Sequence, residues 1–139
     1  NGTPGGEWMR ITMENIEVLT DYMCRPELLS PNGQVRSIIA SEVGYTSSQG
    51  EDMQAAAFVH GYLQAENNQH IDAFILSRET DVPGEIAQGL AFGLTNVDGS
   101  PKLIYDFYKN IDTGNAGAYT EQAKALMGIS DWSQVITAR

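Results

Sequence analysis

The sequence predicts an α/β fold, on three observations. Two short runs rich in β-branched and apolar residues, Val35 to Ala40 and Ile71 to Leu76, are bounded by turn-forming residues. Segments with helical apolar spacing lie before, between and after them. The order helix, strand, helix, strand, loop, helix then calls for parallel strands joined by a right-handed crossover. At 139 residues the chain is long enough for one domain with a real core and too short for two ordinary ones.

Along the chain, a glycine-rich stretch comes first, with a short extended piece expected over Glu7 to Ile11. Thr12 has the chemistry of a helix N-cap, and Glu14 falls in the first turn, where a helix N-terminus favours negative charge. Ile16, Leu19 and Met23 give the following helix an apolar face, and Pro26 should end or bend it. The tetrapeptide SPNG at residues 30–33 is turn chemistry. Val35 to Ala40 then reads as a strand buried on both faces. Ser48 and Glu51 have capping-box spacing and should open a helix whose apolar face carries Ala55, Phe58, Val59, Tyr62 and Leu63. After the second strand comes a long loop containing DVPGE and TNVDG. Pro101 should sit in the first turn of the next helix, where its missing N–H costs nothing. That helix has a stripe of Leu103, Ile104, Phe107, Tyr108 and Ile111. One or two short helices are expected over Tyr119 to Arg139, with Trp132 packing back.

Composition narrows the partners. A net charge of −10 argues against nucleic acid and anionic membrane surfaces, both of which need a cationic face. A neutral, hydroxyl-rich ligand is compatible with it. No run approaches the roughly 20 apolar residues of a membrane span, and no signal peptide is visible. Cys24 is the single cysteine, so an internal disulfide or a CxxC pair is excluded; it reads as a small apolar residue on a helix. His60 and His70 have no second ligand at zinc spacing. Asn96, Asp98 and Gly99 lack the spacing and closing glutamate of a calcium loop and read as a turn. The GYTSSQG stretch lacks the lysine of a phosphate-binding loop. No metal and no cofactor is expected.

The strand ends hold the chemistry. Glu42 closes the first strand in SEVGY, and Ser77, Arg78, Glu79 and Asp81 close the second. A strand-end acid often caps a loop or pairs with an arginine, and Arg36 and Arg78 are both available. Tyr45 could stack on a ligand or simply pack the loop. Arg78 could face the site or form a surface ion pair with Glu79 or Asp81.

SEVGY, the strand IDAFILSR and the stretch AFGLTNVDGSPKLIY ahead of an aromatic-rich helix resemble, in order and spacing, the C-terminal part of a (β/α)8-barrel glycoside hydrolase of the large retaining clan. They are most similar to an uncharacterised bacterial family, domain of unknown function 5722. The resemblance implies that the chain is a single C-terminal segment of a TIM barrel, with residues 10–112 barrel-like and 113–139 a helical tail. It places strands 7 and 8 at the two apolar runs. It implies Glu42 as the nucleophile of a retaining double displacement on a β-linked glycan. Tyr45, Ser77 and Arg78 are expected to contact substrate because residues closing adjacent parallel strands share one rim with it. The resemblance also implies a secreted or periplasmic setting.

A retaining enzyme needs a second carboxyl group about 5–5.5 Å from the first. The clan carries it after an asparagine at the end of strand 4, and no Asn-Glu dipeptide occurs here. The chain alone is therefore expected to be inactive. The alternatives are a non-catalytic glycan-binding barrel or a structural fragment that only self-associates. The bare edges of strands 35–42 and 71–77 imply a homo-oligomer or the remainder of the barrel as a partner.

Overall fold

The computed structural model describes residues 10–139, so the extended piece expected from Glu7 falls largely outside the described residues. The described residues form a mixed α/β domain of five helices and a two-stranded parallel sheet. A short 3-10 turn, Met13–Asn15, leads into helix α1, Glu17–Met23. Thr12 caps that turn in a reciprocal box: its hydroxyl accepts from Glu14 N, while the Asn15 side chain accepts from Thr12 N at 2.7 Å. The apolar spacing beginning at Ile16 ends at Met23, and Pro26 opens a separate 3-10 turn. The SPNG segment turns as expected, Gly33 adopting φ 79° and donating to Ser30 O at 2.8 Å.

Strand β1 is Ile38–Val43 and strand β2 is Ile71–Leu76, and helix α2, Glu51–Glu66, crosses between them. The register pairs Ile38 with Ile71 and Val43 with Leu76. Burial on both faces is not what the strands show. Ile39 is 56% exposed and Ile75 50%. Helix α2 covers one face, where Phe58 stacks on Phe74 at 6.3 Å, and no described element covers the other.

Capping of α2 also differs from the sequence reading. Gly50, at φ 121°, is the N-cap, and Ser48 makes no cap bond. Glu51 instead accepts a hydrogen bond from Leu103 N at 2.7 Å, tying the start of α2 to the start of the helix packed beside it. That helix, α4, spans Leu103–Asn110 and follows the single-turn α3, Pro83–Ile86. Pro101 lies before α4 rather than in its first turn, in a bridge with Thr95. Ile104, Phe107 and Ile111 are buried as the stripe predicts, while Tyr108 is half exposed. Helix α5, Ala116–Met127, ends on Gly128 in the left-handed conformation, and Trp132 folds back onto His60.

The core joins Phe58 and Val59 of α2 to Ile104, Phe107 and Ile111, closed by Leu94 and Ala123. Helix α2 is central, so its apolar character is spread around its circumference. The polar residues it buries, Gln54, His60 and Gln64, all bond to backbone. No described helix is long and apolar enough to cross a membrane.

Candidate functional site

Glu42 lies one residue before the end of β1, exposed, on the rim where the parallel strands finish. It lines a cleft of about 460 Å³ with walls of three origins. One wall is the end of β1, with Val43, Gly44 and Tyr45. The floor is one face of α2, with Ala57, His60 and Gly61. The third part of the lining is the Thr12-capped turn, with Ile11 and Glu14. Glu14, Glu42, Tyr45 and His60 therefore all border one concavity.

The loop after β1 is held by side chains that reach it from elsewhere. Gln54, 1% exposed, donates its amide to Tyr45 O at 2.8 Å and to Gly93 O at 3.2 Å. The Thr46 hydroxyl donates to Gly89 O at 2.6 Å and accepts from Ala91 N. Gly44 is in contact with the Phe92 ring; a Cβ there would stand 2.9 Å from its Cγ. Gln64, fully buried, donates to Glu14 O at 2.8 Å and accepts from Thr137 N at 3.1 Å. It thus fixes the cleft wall that carries Glu14 to the C-terminal tail.

Tyr45 packs rather than reaches outward. Its hydroxyl is seated against Gly61, at a place a Cβ would occupy, and it has no hydrogen-bond partner among the described residues. Burial, and secondarily the Glu14 charge, push the phenol well above its usual range. His60 is also committed: its Nε2 lies 3.0 Å from Val135 O and its ring stacks on Trp132.

The strand-end residues of β2 divide between places. Ser77 N donates to Val43 O at 2.9 Å, so its backbone adjoins the Glu42 rim. Arg78 turns away and pairs with Glu85 at 2.7 Å, not with Glu42, Glu79 or Asp81. It lines a separate cavity of about 390 Å³ with Glu79, Tyr105, Tyr108 and Lys109. Arg36 donates to the carbonyls of Leu28 and Leu29 and leaves Glu42 alone. Asp81 is 6% exposed and pairs with the equally buried Lys102, Oδ2 to Nζ at 2.6 Å. The ammonium also donates to Ser47 Oγ at 3.0 Å and Ala91 O at 3.2 Å, while Asp81 Oδ1 accepts from Gly93 N at 2.7 Å. All three ammonium protons are used.

A family model matches residues 7–135, nearly the whole chain; it is described as a family of unknown function, DUF5722. The chain belongs to that family. No curated protein and no solved structure matches it. The matched span takes in Glu14, Glu42, Tyr45, Ser77, Arg78, Asp81 and Lys102. Because DUF5722 carries no assigned chemistry, the reading of the site rests on its geometry.

Some of this geometry lies beyond sequence reasoning. Gln54, Gln64 and Lys102 are polar residues of types that usually face solvent, and nothing local marks them as buried. Cys24 corrects a further expectation. It lies just past α1 with its thiol exposed, 3.5 Å from His70 Nε2, rather than packed as a small apolar residue. Among the described residues no group of three or more His, Cys, Asp or Glu is placed to hold a metal ion.

Proposed function

We propose that the protein is carbohydrate-active and glycoside hydrolase-like. In this reading the two-stranded sheet is a sector of a (β/α)8 barrel, and Glu42 holds the nucleophile position of a retaining double displacement. The observation that carries the reading is Glu42 itself: an exposed carboxylate at the C-terminal end of a parallel strand, on the wall of a cleft. In a barrel of parallel strands the reacting groups gather at that end. The strand faces that leave Ile39 and Ile75 exposed correspond to a barrel interior. Tyr45 supports Glu42 by fixing the loop that follows it. Ser77 borders the rim through its backbone, and Arg78 serves the neighbouring cavity.

The nucleophilic step joins a Glu42 carboxylate oxygen to the anomeric carbon as the glycosidic oxygen departs with a proton from a second carboxyl group. Water then releases the sugar. In a polypeptide that supplies both carboxyl groups, Glu42→Gln abolishes turnover while ligand binding persists, because the lost oxygen acts in the transition state. Hydrolysis of β-linked chromogenic glycosides checks this; wild-type turnover by E42Q removes Glu42 from the mechanism.

One observation favours the non-catalytic reading. Glu42 has no hydrogen-bond or ion-pair partner among the described residues, whereas a working nucleophile is ordinarily oriented by neighbours. That reading predicts glycan affinity without turnover in every context. In either case the open sheet face is covered in solution, by a second copy or by the rest of a barrel. A stable monomer in sedimentation analysis contradicts this.

A further inference from the structure

The segment 135–139 is tied to the rest of the molecule at every second residue. Val135 O accepts from Gln64 Nε2 at 3.3 Å and lies 3.0 Å from His60 Nε2. Thr137 N donates to Gln64 Oε1 at 3.1 Å. Arg139 N donates to Asn67 O and Arg139 O accepts from Gln69 N, each at 2.9 Å. The Arg139 guanidinium closes the run on Asp21 of α1, from Nε to Oδ1 at 2.8 Å and from the second nitrogen to Oδ2 at 3.1 Å.

Gln64 is where this segment meets the cleft. It is fully buried, and its amide donates to Glu14 O at 2.8 Å as well as to Val135 O, while its oxygen takes the Thr137 N–H. The Thr137 donor fixes which way the amide points, since a flipped amide would set donor against donor. Among the described residues, the bond to Glu14 O is the one hydrogen bond that joins residues 12–15 to α2 or to the segment 135–139. Helix α1 has a tie of its own, from Asn68 Nδ2 to Thr20 Oγ1 at 2.9 Å. The turn ahead of it does not. His60, which also lines the cleft, shares the Val135 carbonyl. Met13 and Ile16 keep the turn packed through buried apolar contact, so losing the Gln64 bond shifts the turn rather than unfolding it.

We propose that Val135–Arg139 is a strap that sets the geometry of the Glu42 cleft, with Gln64 as the positioning residue that transmits it. Seating of the strap orients the Thr12-capped turn and His60, and its release loosens both. The coupling is reciprocal, so whatever orders the turn also tightens the strap. The proposal takes the cleft as the site, as in the reading above, and its test uses no ligand, so the two can fail separately.

The test is amide hydrogen exchange and chemical shift, read by NMR on the full chain, because exchange reports local opening residue by residue. Arg139→Gln removes an exposed ion pair and should speed exchange of the Thr137 amide roughly 1.5- to 5-fold. Thr137→Pro removes the N–H that Gln64 accepts and is the stronger perturbation. In both variants the Gln64 side-chain amide should lose protection, and the Glu14 and Asn15 backbone signals should move with it. The Leu94 and Lys102 amides, bonded within the loops on the other side of α2, should not respond. In the reverse direction, Thr12→Ala uncaps the turn without touching the strap and should speed exchange at Thr137. Arg139 and Thr12 are both exposed, so these two variants carry the test even where Thr137→Pro fails to fold. Faster exchange at Thr137 with the Gln64 side chain and Glu14 unmoved overturns the proposal, since the segment then only packs. An equal rise at Leu94 and Lys102 also overturns it, because the whole domain has then been loosened.

Discussion

Replacing Lys102 by methionine is the most informative perturbation of the rim. Methionine keeps much of the apolar stem and removes the ammonium. The Asp81 carboxylate, with a side chain only 4% exposed, then loses the partner it holds at 2.6 Å. Ser47 Oγ and Ala91 O lose a donor in the same step. Breaking a buried pair from one side costs about 3–5 kcal/mol, because the remaining charge is uncompensated. Native domains hold only about 5–15 kcal/mol in total, so the variant should be marginal. Urea denaturation followed by circular dichroism reads this directly. With an m-value near 2 kcal/mol/M, the midpoint should fall by roughly 1.5–2.5 M. The double variant Lys102→Met with Asp81→Leu should recover much of the loss, since an apolar pair needs no compensation. A single variant whose midpoint moves by less than about 0.5 M would refute the reasoning. The pair would then be solvated in solution, and the loops bearing Tyr45 and Gly93 would be held by other contacts.

Two further predictions follow from the same packing. Tyr45→Phe removes a buried hydroxyl that has no partner. It should be neutral or stabilising by up to about 1 kcal/mol, whereas losing a satisfied hydroxyl costs more. Gly61→Ala drives a methyl group into that hydroxyl and should cost about 1–3 kcal/mol. Tyr45→Phe should restore part of this in a double-mutant cycle, and strict additivity would contradict the contact. The pH dependence has two limbs. Asp21, Asp98 and Asp131 are held low by hydrogen bonds from Arg139, Ser100 and Ser133 respectively. Carboxyls depressed in the folded state contribute stability above their unfolded pKa of about 3.9, and lose it as pH falls through the folded values. Tyr45, Tyr62 and Tyr119 are raised, chiefly by burial. Their contribution is fully present below about pH 10 and is lost as pH rises further. Thermal melts across pH should therefore decline at both ends, and Arg139→Gln should weaken the acid limb.

Much of the fold was legible because its signals are local. Thr12 announces a cap through side-chain chemistry, the IDAFIL run through β-branching and length, and the Ile104, Phe107, Ile111 stripe through helical spacing. Local signals failed where a distant partner decides the outcome. Glu51 has capping-box spacing, yet its carboxylate serves Leu103, 52 positions along the chain. Arg78 has several acids near it in sequence, and the one it meets is Glu85, because α3 turns that side chain back over the loop. At the site, Glu42 and the loop position of Tyr45 could be read from the strand end. The second acidic residue in the cleft could not: Glu14 joins the lining through tertiary packing, its backbone carbonyl accepting from Gln64, 50 residues on. Buried polar residues on a central helix carry no periodicity that distinguishes them from solvent-facing ones. Their partners are backbone groups, which leave no mark in a sequence.

Where a glycan meets the protein is measured most directly by amide chemical-shift mapping during titration with a neutral β-linked oligosaccharide. Saturable shifts should gather at Glu14, Glu42, Gly44, Tyr45 and His60. Shifts that gather instead around Arg78, Tyr105 and Tyr108, or no shifts at all, would contradict the assignment of the Glu42 cleft as the binding site.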